Sequence, residues 1–166
     1  MGNLCFKSEL ILQNNDIPFF DLKGKTFNAK VVDVYDGDTC NVVFKLNGKY
    51  TKFKVRCKGY DTPEMKPPLN SDNREKIIKS AHKSKNYFIS RVTNFKILSD
   101  IVYSKSELHD IFEKNNMIVK VECFGWDKYG RLLADIYDDN GNNINQDMIR
   151  LNYGYEYDGG TKRTFN

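Results

Sequence analysis

Two short turn motifs, Asp36-Gly37-Asp38 and Asn47-Gly48, divide the first third of the chain into segments of strand character. Residues 26–35, 39–46 and 50–57 are rich in β-branched and aromatic side chains and partly alternate with polar ones, which favours strands. Asn-Gly supplies the two positive-φ residues that a type I′ hairpin requires. The pattern therefore predicts a three-stranded antiparallel meander.

The middle of the chain changes to a period of three to four residues. Between residues 72 and 95 the apolar and small side chains share one helical face, which predicts an amphipathic helix covering one end of the sheet. Its positions are Ile77, Ala81, Ser84, Phe88, Val92 and Phe95. The lysines of this segment fall mostly off that face, which favours a solvated surface over a nucleic-acid stripe.

The second half of the chain returns to strands after an irregular segment. Residues 96–116 contain Ser104-Lys105-Ser106-Glu107, the spacing of a capping box, so a short helix is expected there. Residues 117–124 alternate apolar and charged side chains, which predicts a strand, and residues 131–137 are expected to form the next strand after a loop. Residues 145–151 are typical of a further short helix.

Three strands, an inserted helix and a further strand pair form the order of an OB-fold barrel. We therefore predict an α+β fold dominated by β structure: a five-stranded OB-fold barrel with an inserted amphipathic helix and one or two short helices. The expected organisation is an N-terminal extension over residues 1–24, the barrel domain over 25–158 with an insertion at about 96–116, and a C-terminal tail over 159–166. A chain of 166 residues fits one domain with a substantial core.

The composition is that of a folded domain with a mild positive charge. Hydrophobic residues make up 40% of the chain and aromatic residues 13%, which excludes wholesale disorder. The 26 basic residues exceed the 22 acidic ones by a net charge of +4, which suits a polyanionic partner without requiring one. The four cysteines are scattered, without a Cys-x-x-Cys pair, so they are interpreted as reduced thiols rather than zinc ligands.

The N-terminus leaves two interpretations open. It has neither a signal-peptide core nor an apolar run long enough to span a bilayer, so an intracellular location is expected. Gly2 and Cys5 are candidate myristoyl and palmitoyl acceptors, and two acyl chains would hold the protein on a membrane surface. Phe6 stands where such a signal usually has Ser or Thr, and a plain frayed terminus is the alternative.

Asp61-Thr62-Pro63-Glu64 is the most distinctive chemical motif of the chain. Proline fixes its own φ and pushes Thr62 toward extended geometry, so the two acids are held apart by stiff backbone. Carboxylate oxygens suit hard cations such as calcium, but one short turn offers too few ligands. Asp38, in the turn between the first two predicted strands, is the candidate that completes a cation site with Asp61.

Two arginines accompany these acids. Arg56 lies five residues before Asp61, and Arg131 begins a strand after the turn Asp127-Lys128-Tyr129-Gly130. A cation, two guanidinium groups and a spare carboxylate can polarise a phosphate, stabilise its developing charge and activate water, which is the chemistry of phosphodiester hydrolysis. Taken singly, each feature is equally typical of a turn or a surface ion pair; only their combination points to a site.

The combination resembles the staphylococcal nuclease-like, or thermonuclease, domain family. The matching segments are Asp36-Gly37-Asp38-Thr39, Arg56, Asp61-Thr62-Pro63-Glu64 and Asp127-Lys128-Tyr129-Gly130-Arg131, with weaker agreement at Asn145 and Arg150. The resemblance covers roughly residues 26–157. It implies an OB-fold barrel and a calcium-dependent nuclease that acts on DNA and RNA and leaves 3′-phosphate products.

The resemblance assigns calcium ligands and catalytic residues. Asp38, Asp61 and the backbone carbonyl of Thr62 correspond to the ligands of Ca²⁺. Glu64 corresponds to the acid that positions or deprotonates the attacking water, and the residue type leaves these two roles open.

The resemblance also assigns the substrate contacts. Arg56 and Arg131 correspond to the phosphate clamps. Lys128 and Tyr129 correspond to residues near the terminal phosphate of a bound nucleotide, and Tyr155 and Tyr157 to aromatics of the nucleotide pocket. Phosphate contacts and stacking do not identify bases, so little sequence preference is expected.

The competing interpretation is a non-catalytic nucleic-acid-binding or scaffold module, since barrels of this kind also bind single strands without cutting them. A module that had lost catalysis would tend to lack an acid or an arginine of the site. Asp38, Arg56, Asp61, Glu64 and Arg131 are all present, which favours the enzyme. No obligate protein partner is evident.

Overall fold

The computed structural model describes Leu10, Gln13 and residues 15–160. The strands are β1 (Thr26–Val34), β2 (Thr39–Leu46), β3 (Lys49–Cys57), β4 (Tyr60–Asp61), β5 (Val119–Trp126), β6 (Leu132–Tyr137) and β7 (Tyr155–Glu156). The helices are α1 (Arg74–Val92), α2 (Lys105–Lys114) and α3 (Ile144–Arg150). Gly2 and Cys5, the candidate acylation sites, lie outside the described residues.

Five strands close into a barrel in the order β1-β2-β3-β6-β5, with β5 returning to β1. All pairs are antiparallel except β3 with β6, which is parallel. The predicted five-stranded OB-fold barrel is therefore confirmed. Its interior is filled by fully buried aliphatic side chains from every strand, among them Val31, Val42, Val55, Val121 and Leu132.

The predicted meander is confirmed almost residue for residue. Asn47 and Gly48 have φ values of 49° and 83°, as a two-residue hairpin with a primed turn requires. Leu46 pairs with Lys49 across the turn. Local turn chemistry therefore sets the β2–β3 register.

The predicted loop from residue 125 to 130 begins too early. Strand β5 continues through Gly125 to Trp126, which pairs with Leu132. The register shifts between Cys123 and Gly125, and Gly125 has a φ of 106° that favours glycine. Because a bulge with a positive-φ glycine is compatible with continued pairing, the strand extends to Trp126 rather than ending at residue 124 as predicted.

A second sheet of two residues per strand was not predicted. Strand β7 pairs antiparallel with β4, with Asp61 opposite Tyr155, and residues from 153 onward show no periodicity in the sequence. A two-residue strand is too short to show alternation. Gly154 allows the close approach, because a Cβ there would lie 2.8 Å from the Asp61 carbonyl oxygen.

Helix α1 covers the barrel with most of the predicted face, but it ends at Val92, so Phe95, which was predicted on this face, lies beyond the helix. Ala81, Ser84, Phe88 and Val92 are buried, and this apolar stripe is what the spacing indicated. The Arg91 guanidinium contacts both Asp138 and Asp147, which ties α1 to the loop before α3 and to α3 itself.

Residues 96–116 contain α2 and a segment that is hydrogen-bonded to α1. The Ser104 and Glu107 side chains each accept the other's backbone N–H, so the predicted capping box is confirmed. Phe112 of α2 is buried in the core. The Asn86 amide of α1 donates to the carbonyls of Leu98, Ser99 and Ile101 at 2.9, 3.1 and 2.7 Å, which fixes the segment that leads to α2.

Among the described residues before β1, one joins the core. Leu22 is fully buried, whereas Phe19 is 99% exposed. The Phe20 ring lies 6.3 Å from that of Trp126. Among the described residues, no helix has the length and apolarity needed to cross a membrane.

Candidate active site

Asp38 lies in the tight turn between β1 and β2, directly before β2. The Asp38 N–H donates to the Asp36 carboxylate at 3.1 Å, and the Gly37 carbonyl accepts the buried Tyr60 hydroxyl at 2.7 Å. A Cβ on Gly37 would lie 2.8 Å from Cγ2 of Thr62, closer than two carbon atoms pack. The glycine therefore lets the turn press directly against the Asp61-Thr62 segment.

Arg56 bridges the two candidate metal ligands. Its Nη1 lies 3.0 Å from Oδ1 of Asp38 and its Nη2 2.9 Å from Oδ1 of Asp61. Nη1 also donates to the Cys57 carbonyl at 3.0 Å. The β2–β3 register places Thr39 opposite Arg56, so strand pairing holds Asp38 beside this guanidinium. The structure thus brings together three residues that are separated in sequence.

The Asp38 carboxylate is hydrogen-bonded through both oxygens. Oδ2 accepts the backbone N–H and the hydroxyl of Thr62 at 3.1 and 3.0 Å, and Oδ1 accepts the Thr39 hydroxyl at 2.9 Å. These bonds fix Asp38 to the backbone beside Asp61. The Thr62 carbonyl, the third predicted ligand, belongs to the same peptide segment.

Negative charge exceeds positive charge in this buried cluster. Burial, together with the nearby carboxylate of Asp36, raises the pKa of Asp38 from 3.8 to about 8, against the opposing effect of Arg56. Burial disfavours the charge of Arg56 as well, yet the carboxylates of Asp38 and Asp61 outweigh it and raise the pKa of Arg56. Three acids thus face one guanidinium and the half-buried ammonium of Lys85 near Asp36, so the cluster keeps an excess of negative charge and favours another cation or a proton.

The donor set fits a hard cation held weakly. Among the described residues no group of three His, Cys, Asp or Glu side chains converges on a metal position. Asp38 and Asp61 offer only two carboxylates, whereas calcium takes about six to eight oxygen ligands. Backbone carbonyls such as that of Thr62, and water, would complete the shell.

Glu64 emerges into solvent directly beside this buried cluster. Asp61, Thr62 and Pro63 are buried, and Glu64 is exposed. The two acids of the motif thus differ in burial. A solvent-facing carboxylate beside a cation site is placed to contact water.

A cavity of about 310 Å³ lies on the other side of Arg56. We call it the Tyr129 pocket; its lining includes Arg56, Tyr60, Lys128, Tyr129, Arg131 and Tyr157. The parallel register of Arg56 with Leu133 brings the start of β6 to this edge of the barrel. Arg56 therefore belongs both to the acid cluster and to a pocket lined by three further cations, Lys58, Lys128 and Arg131.

Asp127 orients Arg131 within this pocket. Its Oδ2 accepts the Arg131 Nε at 2.7 Å and its Oδ1 accepts the Arg131 and Tyr129 backbone N–H groups at 2.9 and 2.8 Å. Burial alone would raise the pKa of Asp127, but these bonds lower it. Within the described part of the chain, the guanidinium is held through Nε only, which leaves both its NH₂ groups for an anion.

Tyr129 separates two cations at the pocket. The Lys128 ammonium lies 5.1 Å and the Arg131 guanidinium carbon 5.5 Å from the centre of its ring, both within cation–π range. The ring is 72% exposed. The sequence analysis assigned no role to Asp127, although an acid four residues before Arg131 could have indicated an ion pair between them.

The two tyrosines near the C-terminus occupy different places. Tyr157 lines the Tyr129 pocket. Tyr155 is not among its lining residues; its hydroxyl donates to Oδ2 of Asp61 at 3.0 Å, because β7 places it opposite Asp61. Tyr155 is thus positioned to orient a candidate metal ligand, a contact that the sequence did not indicate.

Asn145 stabilises the backbone next to the site. Its buried amide donates to the carbonyls of Lys58 and Ala134, both at 3.0 Å, and so fixes the connection between β3 and β4. Arg150 is exposed and pairs with Asp147 at 2.6 Å. Of these two weaker matches, only Asn145 contacts backbone next to the site.

Comparison with known proteins relates the chain to one family. The family described as staphylococcal nuclease homologue matches residues 54–159, so the turn at residues 36–39 lies outside the matched range. An uncharacterized protein of Methanocaldococcus jannaschii is 34% identical over 152 residues, covering 86% of this chain. The chain spans 63% of the length of that relative. By fold and by sequence, the chain belongs to the staphylococcal nuclease homologue family.

Proposed function

We propose that the chain is a calcium-dependent nuclease that hydrolyses phosphodiester bonds of DNA and RNA with little sequence preference and leaves 3′-phosphate products. The observation that carries the proposal is the double role of Arg56. Its guanidinium bridges Asp38 and Asp61 at 3.0 and 2.9 Å and also lines the Tyr129 pocket with Arg131. A phosphate contacting both arginines would therefore lie beside the acid cluster.

The arginines account for phosphate binding and charge stabilisation. Asp127 holds Arg131 through Nε, so the two NH₂ groups of Arg131 need no reorganisation when an anion binds. Both NH₂ groups of Arg56 already contact carboxylates, so a phosphate would share them. Preorganised donors of this kind stabilise the charge that develops as the phosphate reacts. Planar guanidinium groups also match pairs of phosphate oxygens.

Glu64 and the acid pair account for water activation. Asp38, Asp61 and the Thr62 carbonyl would hold Ca²⁺, which when bound supplies Lewis-acid polarisation of a phosphoryl oxygen. Glu64, exposed next to Thr62 and Pro63, would orient or deprotonate the attacking water.

Tyr129 and Tyr157 account for the expected lack of base preference. Both line a pocket with Lys128 and Arg131. Aromatic rings and cations recognise the π-face of any base and the phosphate beside it.

The test is digestion of single-stranded DNA, plasmid DNA and RNA with Ca²⁺, with Mg²⁺ and with EDTA. Cutting with Ca²⁺ and none with EDTA is expected, and millimolar calcium is expected to be necessary because two carboxylates make a weak site. End-group analysis of the products checks for 3′-phosphates. Binding without cutting under every divalent ion would instead support the non-catalytic module.

Arg131→Ala is expected to lower kcat by about two to three orders of magnitude, since one preorganised donor to the developing charge is lost. Arg131→Lys is expected to restore little, because a point charge does not replace the planar fork. The matched control is Arg150→Ala, which removes an exposed arginine paired with Asp147. Equal rates for Arg131→Ala and Arg150→Ala would exclude the clamp role.

A further inference from the structure

A second and larger groove adjoins the acid cluster. Its volume is about 690 Å³, compared with about 310 Å³ for the Tyr129 pocket. We call it the α2 groove; its polar lining comprises Asp33, Tyr35, Lys66, Lys85, Lys105 and His109. None of these residues lines the Tyr129 pocket.

Two residues that line the α2 groove are close in sequence to residues of the candidate active site. Tyr35 directly precedes Asp36, and Lys66 lies two residues after Glu64. Lys85 is close enough to Asp36 to feel its charge. The Tyr129 pocket meets the cluster at Arg56, whereas the α2 groove is lined by chain neighbours of Asp36 and Glu64, so the two cavities lie next to different residues of the site.

The charge of the α2 groove favours a polyanion. Lys66, Lys85 and Lys105 line it against a single carboxylate, Asp33, which already accepts the Asn41 amide at 3.1 Å. Burial lowers the pKa of Lys85 although Asp33 and Asp36 oppose this effect. The half-buried ammonium therefore lacks full compensation, and a phosphate nearby would supply it.

The groove also offers a stacking surface. Tyr35 is 58% exposed at its lining, and the Lys54 ammonium lies 5.8 Å from the centre of its ring. An exposed ring beside lysines is the combination on which proteins stack successive bases of a single strand while contacting its backbone.

One wall of the groove is a folded element. Lys105, Leu108, His109 and Phe112 follow each other at helical spacing on α2, where Phe112 anchors the helix in the core. The capping box fixes its first turn. The segment of residues 96–116 therefore presents Lys105 and His109 from a folded helix.

We propose that the α2 groove binds a single-stranded segment of the polynucleotide on the side of the scissile phosphate opposite the Tyr129 pocket. The position of this segment relative to the scissile phosphate rests on the proposed nuclease function. Binding of a single strand in the groove is independent of that function, because the lysines and Tyr35 can contact a strand that is not cleaved.

The test compares two double variants that lose the same charge. Lys66→Gln with Lys105→Gln removes two groove cations, and Lys114→Gln with Lys120→Gln removes two exposed lysines that do not line the groove. Fluorescence anisotropy with single-stranded DNA of about ten nucleotides, a length one OB fold covers, is measured in EDTA so that nothing is cut. The groove variant is expected to bind about tenfold more weakly, with a salt slope smaller by about 1.4 for two lost phosphate contacts.

Equal affinity and equal salt slope for the two double variants, with unchanged circular dichroism, would overturn the groove proposal. The nuclease proposal is judged separately by cutting of wild-type protein with Ca²⁺. If the wild-type protein shows no cleavage and the groove variant still binds more weakly, the groove proposal is retained and the nuclease proposal is rejected. If wild type cuts, the groove variant should lose kcat/KM on long strands more than on a dinucleotide, and equal losses would contradict the assigned place of the groove.

Discussion

Glu64→Gln is expected to lower the rate of phosphodiester cleavage by about two to four orders of magnitude with an unchanged melting temperature. The amide keeps the shape of the side chain but cannot take a proton from water. Because Glu64 is exposed, the replacement removes no buried charge, and surface substitutions change stability by about 0.5 kcal/mol or less. Single-turnover cleavage of end-labelled DNA with Ca²⁺ measures the effect on chemistry.

The control for this variant is Glu113→Gln, an equally exposed glutamate on α2. It should cut at the wild-type rate. The pH–rate profile separates the two roles left open for Glu64: loss of the acidic limb in Glu64→Gln indicates a general base, and an unchanged profile with a lower rate indicates a water-positioning group. Near-wild-type activity of Glu64→Gln would rule out both roles.

Asp38→Asn is expected to abolish calcium-dependent cutting and, at the same time, to stabilise the metal-free protein at pH 8. Asp38 lies 4% exposed beside Asp36 and Asp61 with one shared guanidinium. The asparagine cannot carry the charge that burial and the neighbouring acids disfavour. Its amide nitrogen replaces one carboxylate oxygen, and each of those oxygens has two donors. The loss of two such contacts costs about 1–3 kcal/mol each, so the net gain is smaller than the electrostatic relief.

The stabilising effect has a defined pH window. In the folded protein the pKa of Asp38 is about 8, above its ordinary value of 3.8, so between these values the folded state binds more protons at this site than the unfolded state. The free energy of unfolding that Asp38 contributes therefore falls as pH rises from about 4 to about 8. Asp38→Asn removes this dependence, and its advantage over wild type should shrink toward pH 4.

Thermal unfolding in EDTA at several pH values checks this prediction, with Asp139→Asn as an exposed control. A gain of about 1 kcal/mol corresponds to a rise of about 2–4 °C in melting temperature for a domain of this size. Added Ca²⁺ should stabilise wild type, because it binds only the folded state, and should not stabilise Asp38→Asn. A lower melting temperature for Asp38→Asn than for wild type at pH 8 in EDTA would contradict the excess of negative charge.

The sequence determined those features that depend on neighbouring residues. Asn47-Gly48 specified a hairpin because both residues adopt positive φ. The stripe through Ala81, Phe88 and Val92 specified the buried face of α1, and Ser104 with Glu107 specified the start of α2. Each signal lies within a few positions of the residue it controls, so the pattern alone was sufficient.

Only the tertiary structure decided which distant groups share a contact. The parallel pairing of β3 with β6 joined Arg56 to the pocket of Arg131. The two-residue strand β7 brought the Tyr155 hydroxyl to Asp61, and the fixed position of α2 made a groove from residues more than seventy positions apart, such as Asp33 and Lys105. Barrel closure sets these contacts through backbone hydrogen bonds between strands, and no local pattern of side chains records which strands will meet.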